Sequence, residues 1–513
     1  MYKKNDELQL TITDLGSEGE GIGKIDGFPF FVKAAVPGDV IRAGVTKVKK
    51  NYAFARLIGI TEASPDRKEP ECPYFGKCGG CQLMHLSYDA QLRYKGDKVK
   101  NDLIRIGGLD RDMVESASEG IRGSEDTLHY RNKEQYPFGK DREGRTVCGF
   151  YAYHSHRIIA QTDCLLGNEE NRVILENILS WMKENDIAPY DEETGKGIVR
   201  HVMIRKGNLT GELMVCIVIN AQKLPKAESL VGKLSRIEGM SSLSYSVNRE
   251  NTNVIMGESA VVIWGKESIE TIMEKDGSRL MFALSPLAFY QINAKQTEKL
   301  YAKALEYAGL KGEETVWDLY CGIGTISLFL AKQAKKVYGV EIIPQAIENA
   351  KMNAVVNGIT NAEFICGAAE KVLPAFYEDN GDHPDVVVVD PPRKGCDRVC
   401  LDTIIGAAPE RVVYVSCDPA TLARDVRILC DAGYELKKYA VFDMFPHSYH
   451  VETVVQLSKG DIDGHVSSEK KAVKSEASEI ISGYRKGNKA PETTNVKIDF
   501  SLDNLDLSEL KGR

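Results

Sequence analysis

Apolar and polar residues change their spacing along this chain, and each change marks a different kind of element. Residues 7–62 alternate short β-rich runs with glycine punctuation, in "LQLTITDL", "EGIGKIDGFPFFVK", "DVIRAGVTKVKK" and "YAFARLIGI". Strands this short and this evenly spaced predict a small barrel of the OB type. Leu92, Val99, Leu103 and Ile106 then recur at intervals that fit one face of an amphipathic helix, and "HVMIRK" and "ELMVCIVIN" read as strands. From about 281 to 457 strand and helix patterns alternate, which predicts an α/β fold with a doubly wound parallel sheet. After 458 the text turns charged and polar, with few core-forming residues. The expected division is a barrel over 1–65, a mixed α+β region over 66–280, the sheet domain over 281–457 and a flexible polar tail over 458–513.

Composition adds bounds. With 513 residues, 43% of them hydrophobic and 27% charged, the chain is ordinary globular protein too long for one core. No apolar run approaches the roughly 20 residues that cross a bilayer, and "MYKKNDELQL" lacks the apolar stretch of a signal peptide, so a cytoplasmic protein without a membrane partner is expected. A monomer is expected. In a reducing compartment its twelve cysteines are metal ligands, catalysts or core residues rather than disulfides. The net charge of −8 neither advertises nor excludes a nucleic-acid partner, because recognition depends on local patches. One such patch interleaves Lys47, Lys49, Lys50 and Arg56 with Tyr52 and Phe54, pairing charge for phosphates with flat faces for unstacked bases.

The sheet domain carries the chemistry. "ETVWDLYCGIGTISLFLAKQ" reads as a strand, a glycine turn and a helix, with Gly322 and Gly324 allowing a ligand close to the backbone. "KKVYGVEI" follows as the next strand and ends at Glu341, a suitable distance on for a carboxylate to accept from ribose hydroxyls. The full GxGxxG of a pyrophosphate cradle is missing, so S-adenosylmethionine fits better than a dinucleotide. "PDVVVVDPPRKG" brings Asp390 out at the carboxyl end of a later strand; the ring that amino-methyltransferases stack on a base is replaced there by Arg393.

"RVVYVSCDPATLARD" ends another buried strand at a lone Cys417. On this stretch alone an inert core thiol and a nucleophile are both open. Beside a methyl-donor pocket the nucleophile gains a purpose, because carbon 5 of a pyrimidine reacts poorly until a thiolate adds at carbon 6. A base must then remove the carbon-5 proton, and Glu452, at the start of the strand "VETVVQLS", is the candidate.

Taken together, "FYQIN", "DLYCGIGT", "GVEI", "DPPRKG", "YVSCDPATLARD" and "HVETV" resemble, in order, the motifs of bacterial RNA uridine-5-methyltransferases with an amino-terminal TRAM domain, the enzymes of 23S ribosomal RNA. The resemblance implies a Rossmann-like S-adenosylmethionine-dependent domain with cofactor contacts from Gln291, Tyr320, Glu341 and Asp390, Cys417 as nucleophile and Glu452 as base. In "FICGAAEK", Ala368 stands where some relatives carry a polar cofactor contact. The closest rival substrate is transfer RNA; a non-enzymatic RNA-binding assembly factor and redox chemistry are readings of other classes.

"ECPYFGKCGGCQLMH" holds Cys72, Cys78 and Cys81, and Cys164 in "QTDCLL" is the candidate fourth thiolate of a tetrahedral set. Spacing leaves zinc and a [4Fe–4S] cluster equally open. The family resemblance implies the iron–sulfur cluster, in the central domain, fully ligated and structural or RNA-binding in role.

Overall fold

The computed structural model describes residues 2–460 apart from 253, 276, 381 and 382. The expected tail thus lies outside the described residues beyond its first three positions. At the amino end, β1 (Glu7–Leu15), β2 (Gly21–Ile25), β3 (Phe28–Val32), β4 (Val40–Val48) and β5 (Ala53–Glu62) close a barrel in the order β1-β2-β3-β5-β4. Alternation drives it inward: Leu10, Ile12, Phe30, Val32, Ile41 and Val45 fill the interior while their neighbours face out. Phe31, Tyr52 and Phe54 form an outer aromatic cluster with ring centroids 5.5–5.8 Å apart. Lys47 and Arg56 lie on strands, whereas Lys49 and Lys50 fall in the turn between β4 and β5.

After α1 (Tyr88–Arg105), α2 (Arg111–Ala117) and β6 (Ser118–Arg122) comes a seven-stranded sheet of the central region. Its strands are β7 (Lys133–Lys140), β8 (Thr146–Tyr151), β9 (Ile158–Ala160), β10 (Val199–Lys206), β11 (Leu213–Ile219), β12 (Met240–Val247) and β13 (Ala260–Gly265), ordered β13-β12-β11-β10-β7-β8-β9. Helices α3 (Glu170–Glu184) and α4 (Ala227–Leu234) share its core, where Trp181 and Tyr136 are the largest buried side chains.

A hairpin of β14 (Ile269–Lys275) and β15 (Ser278–Leu284) and the helix α5 (Ala294–Ala308) lead into the alternating part. There β16 (Thr315–Leu319), α6 (Thr325–Ala331), β17 (Lys336–Glu341), α7 (Pro344–Val356), β18 (Ala362–Cys366), α8 (Ala369–Asn380), β19 (Val386–Val389), α9 (Arg398–Ala407), β20 (Arg411–Ser416), α10 (Pro419–Asp431), β21 (Tyr434–Phe442) and β22 (Glu452–Lys459) follow one another. The sheet order is β18-β17-β16-β19-β20-β22-β21-β6, parallel through β20, with β22 antiparallel to both neighbours. Four consecutive valines make β19, the pattern of a strand covered on both faces.

Two layers cover this sheet. The hairpin, α5, α6 and α7 pack on one face. Helices α8, α9 and α10 pack on the other, where α1 lies against α10 and α2 against β21. Residues 88–122, grouped by composition with the central region, therefore complete the later sheet and supply its edge strand β6. The expected helical face also shifts. Val99 and Leu103 are buried, but Ile106 is 51% exposed, and the buried stripe continues backwards through two polar residues, Lys95 and Gln91. Lys95 is paired with Asp443 at 2.5 Å, both completely buried.

Candidate active site

The carboxyl ends of β16, β17, β19 and β20 open on one edge, and β22 begins there because it runs the other way. After β16 the chain turns through Tyr320 (φ +66°), Gly322 (φ +55°) and Gly324 (φ +82°) into α6. A Cβ at Gly324 would stand 3.0 Å from the Phe364 ring, whereas one at Gly322 would meet only open space. Glu341 closes the turn from β17: its carboxylate accepts from the Gly322 amide at 3.2 Å and the Ile343 amide at 2.9 Å. Ile342 and Ile343, just beyond, are 63% and 54% exposed. Asp318 lies beneath the turn, accepting from Ser327 Oγ at 2.5 Å, and burial lifts its carboxyl to about 7. Nothing in the local sequence singles it out.

Gln291 is buried just before Asn293, which caps α5, and its backbone carbonyl accepts from Asn132 at 2.8 Å. From α5, Tyr301 reaches Thr325 at 3.2 Å and lies close enough to Asp390 to feel its charge. The Tyr320 ring packs towards the layer of α8 and α9, with its hydroxyl beside the Cys400 thiol. Glu341 and the glycine turn are thus brought together, while Tyr320 turns its side chain to the helical layer.

Cys417 owes its place to its neighbours. β20 ends at Ser416, and Asp418 caps α10 by accepting from the Thr421 amide at 2.9 Å, with Pro419 opening the helix. The thiol is held in the narrow gap between strand and helix. Glu452 is the first residue of β22, where Thr453 pairs with Ser416. Asp390 follows the end of β19 on the same sheet edge, and Cys417 lies within electrostatic reach of both Glu452 and Asp390, as Glu452 does of Asp390. Burial first, then Glu452 and Asp390, push the thiol up to about 12. Burial raises Asp390 to about 7, and burial followed by Asp390 lifts Glu452 well above the usual carboxylate range.

Arg393, which the sequence shows only as the residue standing where a stacking ring would be, takes a role here. It offers no ring, yet it is the cation that favours the charged forms of both Cys417 and Glu452. Its only sequence signal was its place three residues after Asp390 in the same loop.

Cys72, Cys78, Cys81 and Cys164 line one cavity of about 40 Å³, together with Phe75, Met84, Arg131 and Gln161. The Gly80 amide and Gln161 Nε2 point at Cys78 Sγ, at 3.4 and 3.5 Å. Among the described residues no three His, Cys, Asp or Glu side chains are gathered tightly enough to hold a single metal ion, and all twelve cysteines are free thiols. No helix among the described residues is long and apolar enough to cross a membrane.

Comparison with known proteins agrees with this geometry. The family described as tRNA (Uracil-5-)-methyltransferase matches residues 246–460, and the TRAM domain matches residues 3–58. An uncharacterized RNA methyltransferase of Halalkalibacterium halodurans is 49% identical over 88% of this chain and 97% of its own. One from Clostridium acetobutylicum is 48% identical over 90% and 98%. Among solved structures, the tRNA (uracil-54, C5)-methyltransferase of Pyrococcus abyssi in complex with S-adenosyl-L-homocysteine matches with a TM-score of 0.69 and 29% identity, covering 88% of this chain and all of that one. A TRAM barrel, a Rossmann-like sheet with its glycine turn, and relatives this similar over nearly their whole length place the chain in the family of S-adenosylmethionine-dependent RNA (uracil-5-)-methyltransferases.

Proposed function

We propose that this protein methylates carbon 5 of a uridine in 23S ribosomal RNA through a transient bond between Cys417 and carbon 6. The observation that carries the reading is the strand geometry that sets Cys417, just after Ser416, beside Glu452, just before its partner Thr453, with Asp390 at the end of the neighbouring β19, on the edge that also holds the glycine turn. The crevice suits the methyl donor: Gly322 leaves room, Glu341 offers a carboxylate to ribose hydroxyls, and Ile342 and Ile343 form an apolar lip for an adenine. Gln291 and Asp390 complete the set of contacts that the family resemblance implies, to which Tyr320, its ring packed on the helical layer, adds only its backbone. S-adenosylmethionine, when bound, supplies the methyl group and leaves as S-adenosylhomocysteine.

The chain's own residues do the rest. Ionised Cys417 forms a carbon–sulfur bond at carbon 6, and the electrons of the ring's 5,6 double bond move onto the carbonyl at carbon 4, leaving carbon 5 nucleophilic. After carbon 5 is methylated, the Glu452 carboxylate takes its proton. The freed electron pair restores the double bond and expels the Cys417 thiolate. A base raised above the usual carboxylate range is the stronger for it, and Arg393 keeps both anions accessible. The target base must leave its stack for sulfur to reach carbon 6. The barrel's exposed Lys47, Lys49, Lys50 and Arg56 beside Tyr52 and Phe54 are suited to hold the flanking strand.

The thiol sets a pH dependence. With its pKa up at about 12, the thiolate fraction grows about tenfold per pH unit on the alkaline side of neutrality. Single-turnover adduct formation should therefore rise log-linearly with a slope near one between about pH 7 and 9; a flat profile there would contradict a protonated resting thiol.

The family resemblance implies a [4Fe–4S] cluster on the four cysteines, and their place around one cavity supports that reading. Thiols spread around a cavity suit a four-iron cube. Anaerobic purification should give iron and acid-labile sulfide in equal amounts, and Cys164→Ser should lose both; stoichiometric zinc without sulfide would contradict the cluster.

Transfer RNA is the second reading, favoured by the likeness to the Pyrococcus abyssi enzyme. Mass mapping of both RNAs from a deletion strain separates the two. Loss of 5-methyluridine from 23S ribosomal RNA alone is the expected result, and loss from transfer RNA alone would overturn it.

A further inference from the structure

Nine residues, 443–451, join β21 to β22 and lead directly to Glu452. Hairpin loops usually need about two to five residues, so turn chemistry alone does not set this path. Groups from outside the hairpin do. The amides of Gln82 and Leu83, which immediately follow Cys81, both donate to the His447 carbonyl at 2.9 Å. On the buried stripe of α1, Gln91 accepts from the His447 amide at 3.0 Å and stands 3.3 Å from its Nδ1. Lys95 donates to Asp443 at 2.5 Å and to the Phe445 carbonyl at 3.0 Å. Tyr130, packed with Met84 and Leu166 next to the cysteines, donates to the Pro446 carbonyl at 3.2 Å. His447 itself is held at φ +67°, a left-handed value that persists only where surrounding bonds over-determine it.

We propose that the cysteine-bearing segment and α1 form a brace that positions Glu452, with Gln91, Lys95 and Tyr130 as positioning residues, so that the cysteine centre governs release of the methylated product rather than RNA affinity. The inference rests on the roles given above to Cys417 and Glu452. Its physical basis is an asymmetry between the two. Cys417 is fixed by β20 and the Asp418 cap, with no hydrogen bond to 443–451 among the described residues, whereas Glu452 is the first rung of the β21–β22 ladder, paired with Phe442 and joined directly to the loop's last residue. Displacing a reacting group by about 1 Å costs on the order of a hundredfold in rate. Loosening the brace should therefore slow proton removal while leaving sulfur addition intact.

The test uses the full chain with uridine RNA and S-adenosylmethionine, following formation and decay of the covalent complex separately, along with RNA affinity. Gln91→Leu should slow decay by about tenfold or more, with formation and affinity unchanged. Tyr130→Phe, which removes one hydroxyl and little volume, should slow decay less and in the same direction. In Cys81→Ser, amide exchange across 443–450 should quicken, a readout that does not depend on turnover. Decay at the wild-type rate in both of the first two variants, or an equal slowing of formation and decay, would overturn the brace. So would unaltered exchange in Cys81→Ser. A wild-type protein that methylates RNA without any covalent complex would instead remove the reading on which the brace rests.

Discussion

Cys417→Ala is expected to abolish methylation of uridine RNA, with a loss on the order of 10⁴-fold or more in kcat, while binding of RNA and of S-adenosylmethionine persists. The size follows from what the thiolate does. Without sulfur at carbon 6, carbon 5 has no electron density to offer, and no neighbouring group can replace it: Asp390 and Glu452 are carboxylates, and Arg393 is a cation. The fold should tolerate the change, because Cys417 is half-buried in the gap between β20 and α10 and donates no hydrogen bond that either element needs. A methyl-transfer assay with labelled cofactor measures the loss. Activity within tenfold of wild type would remove the nucleophile from the mechanism.

Glu452→Gln is expected to produce the opposite trace. Sulfur addition and methylation proceed, proton removal stalls, and a covalent protein–RNA complex accumulates on ordinary uridine RNA, with kcat lowered by about 10²–10⁴-fold. Misfolding is not the expected cause. The Glu452 carboxyl is raised in the folded state by burial and by Asp390, so ionising it costs stability that is lost as pH climbs through the folded value. The neutral amide escapes that cost, and the variant should be at least as resistant to thermal unfolding as wild type near neutral pH. Gel mobility under denaturing conditions measures the complex, and its absence in an inactive, folded variant would assign Glu452 another role.

Much of this site could be read from local sequence, for reasons particular residues make plain. Cys417 is legible because Val412–Val415 specify a strand and Asp418-Pro419 a capped helix, which leaves the thiol no other place than the edge. Glu341 is legible because a strand end a fixed distance after a glycine turn can only return to it. What periodicity could not show was long-range pairing. The stripe through Leu92, Val99, Leu103 and Ile106 has the right period but the wrong phase, because Lys95 and Gln91 take buried places whose partners, Asp443 and His447, lie 348 and 356 residues away. A lysine on a core face reads as an error until its carboxylate is known. The same holds for β6, a strand with no buried residue of its own, recognisable only by its partner β21. The electrostatic role of Arg393 was not legible because it depends on two anions brought to it by other strands.

Trapping with RNA in which the target uridine is 5-fluorouridine tests the covalent route most directly, since fluorine cannot leave as a proton and Glu452 has nothing to remove. The expected result is a stable complex carrying one transferred methyl group, with the RNA attached within the peptide 411–425 at Cys417 and no complex from Cys417→Ala. Efficient methylation of ordinary RNA together with no complex on the fluorinated RNA, or attachment at a residue other than Cys417, would contradict it.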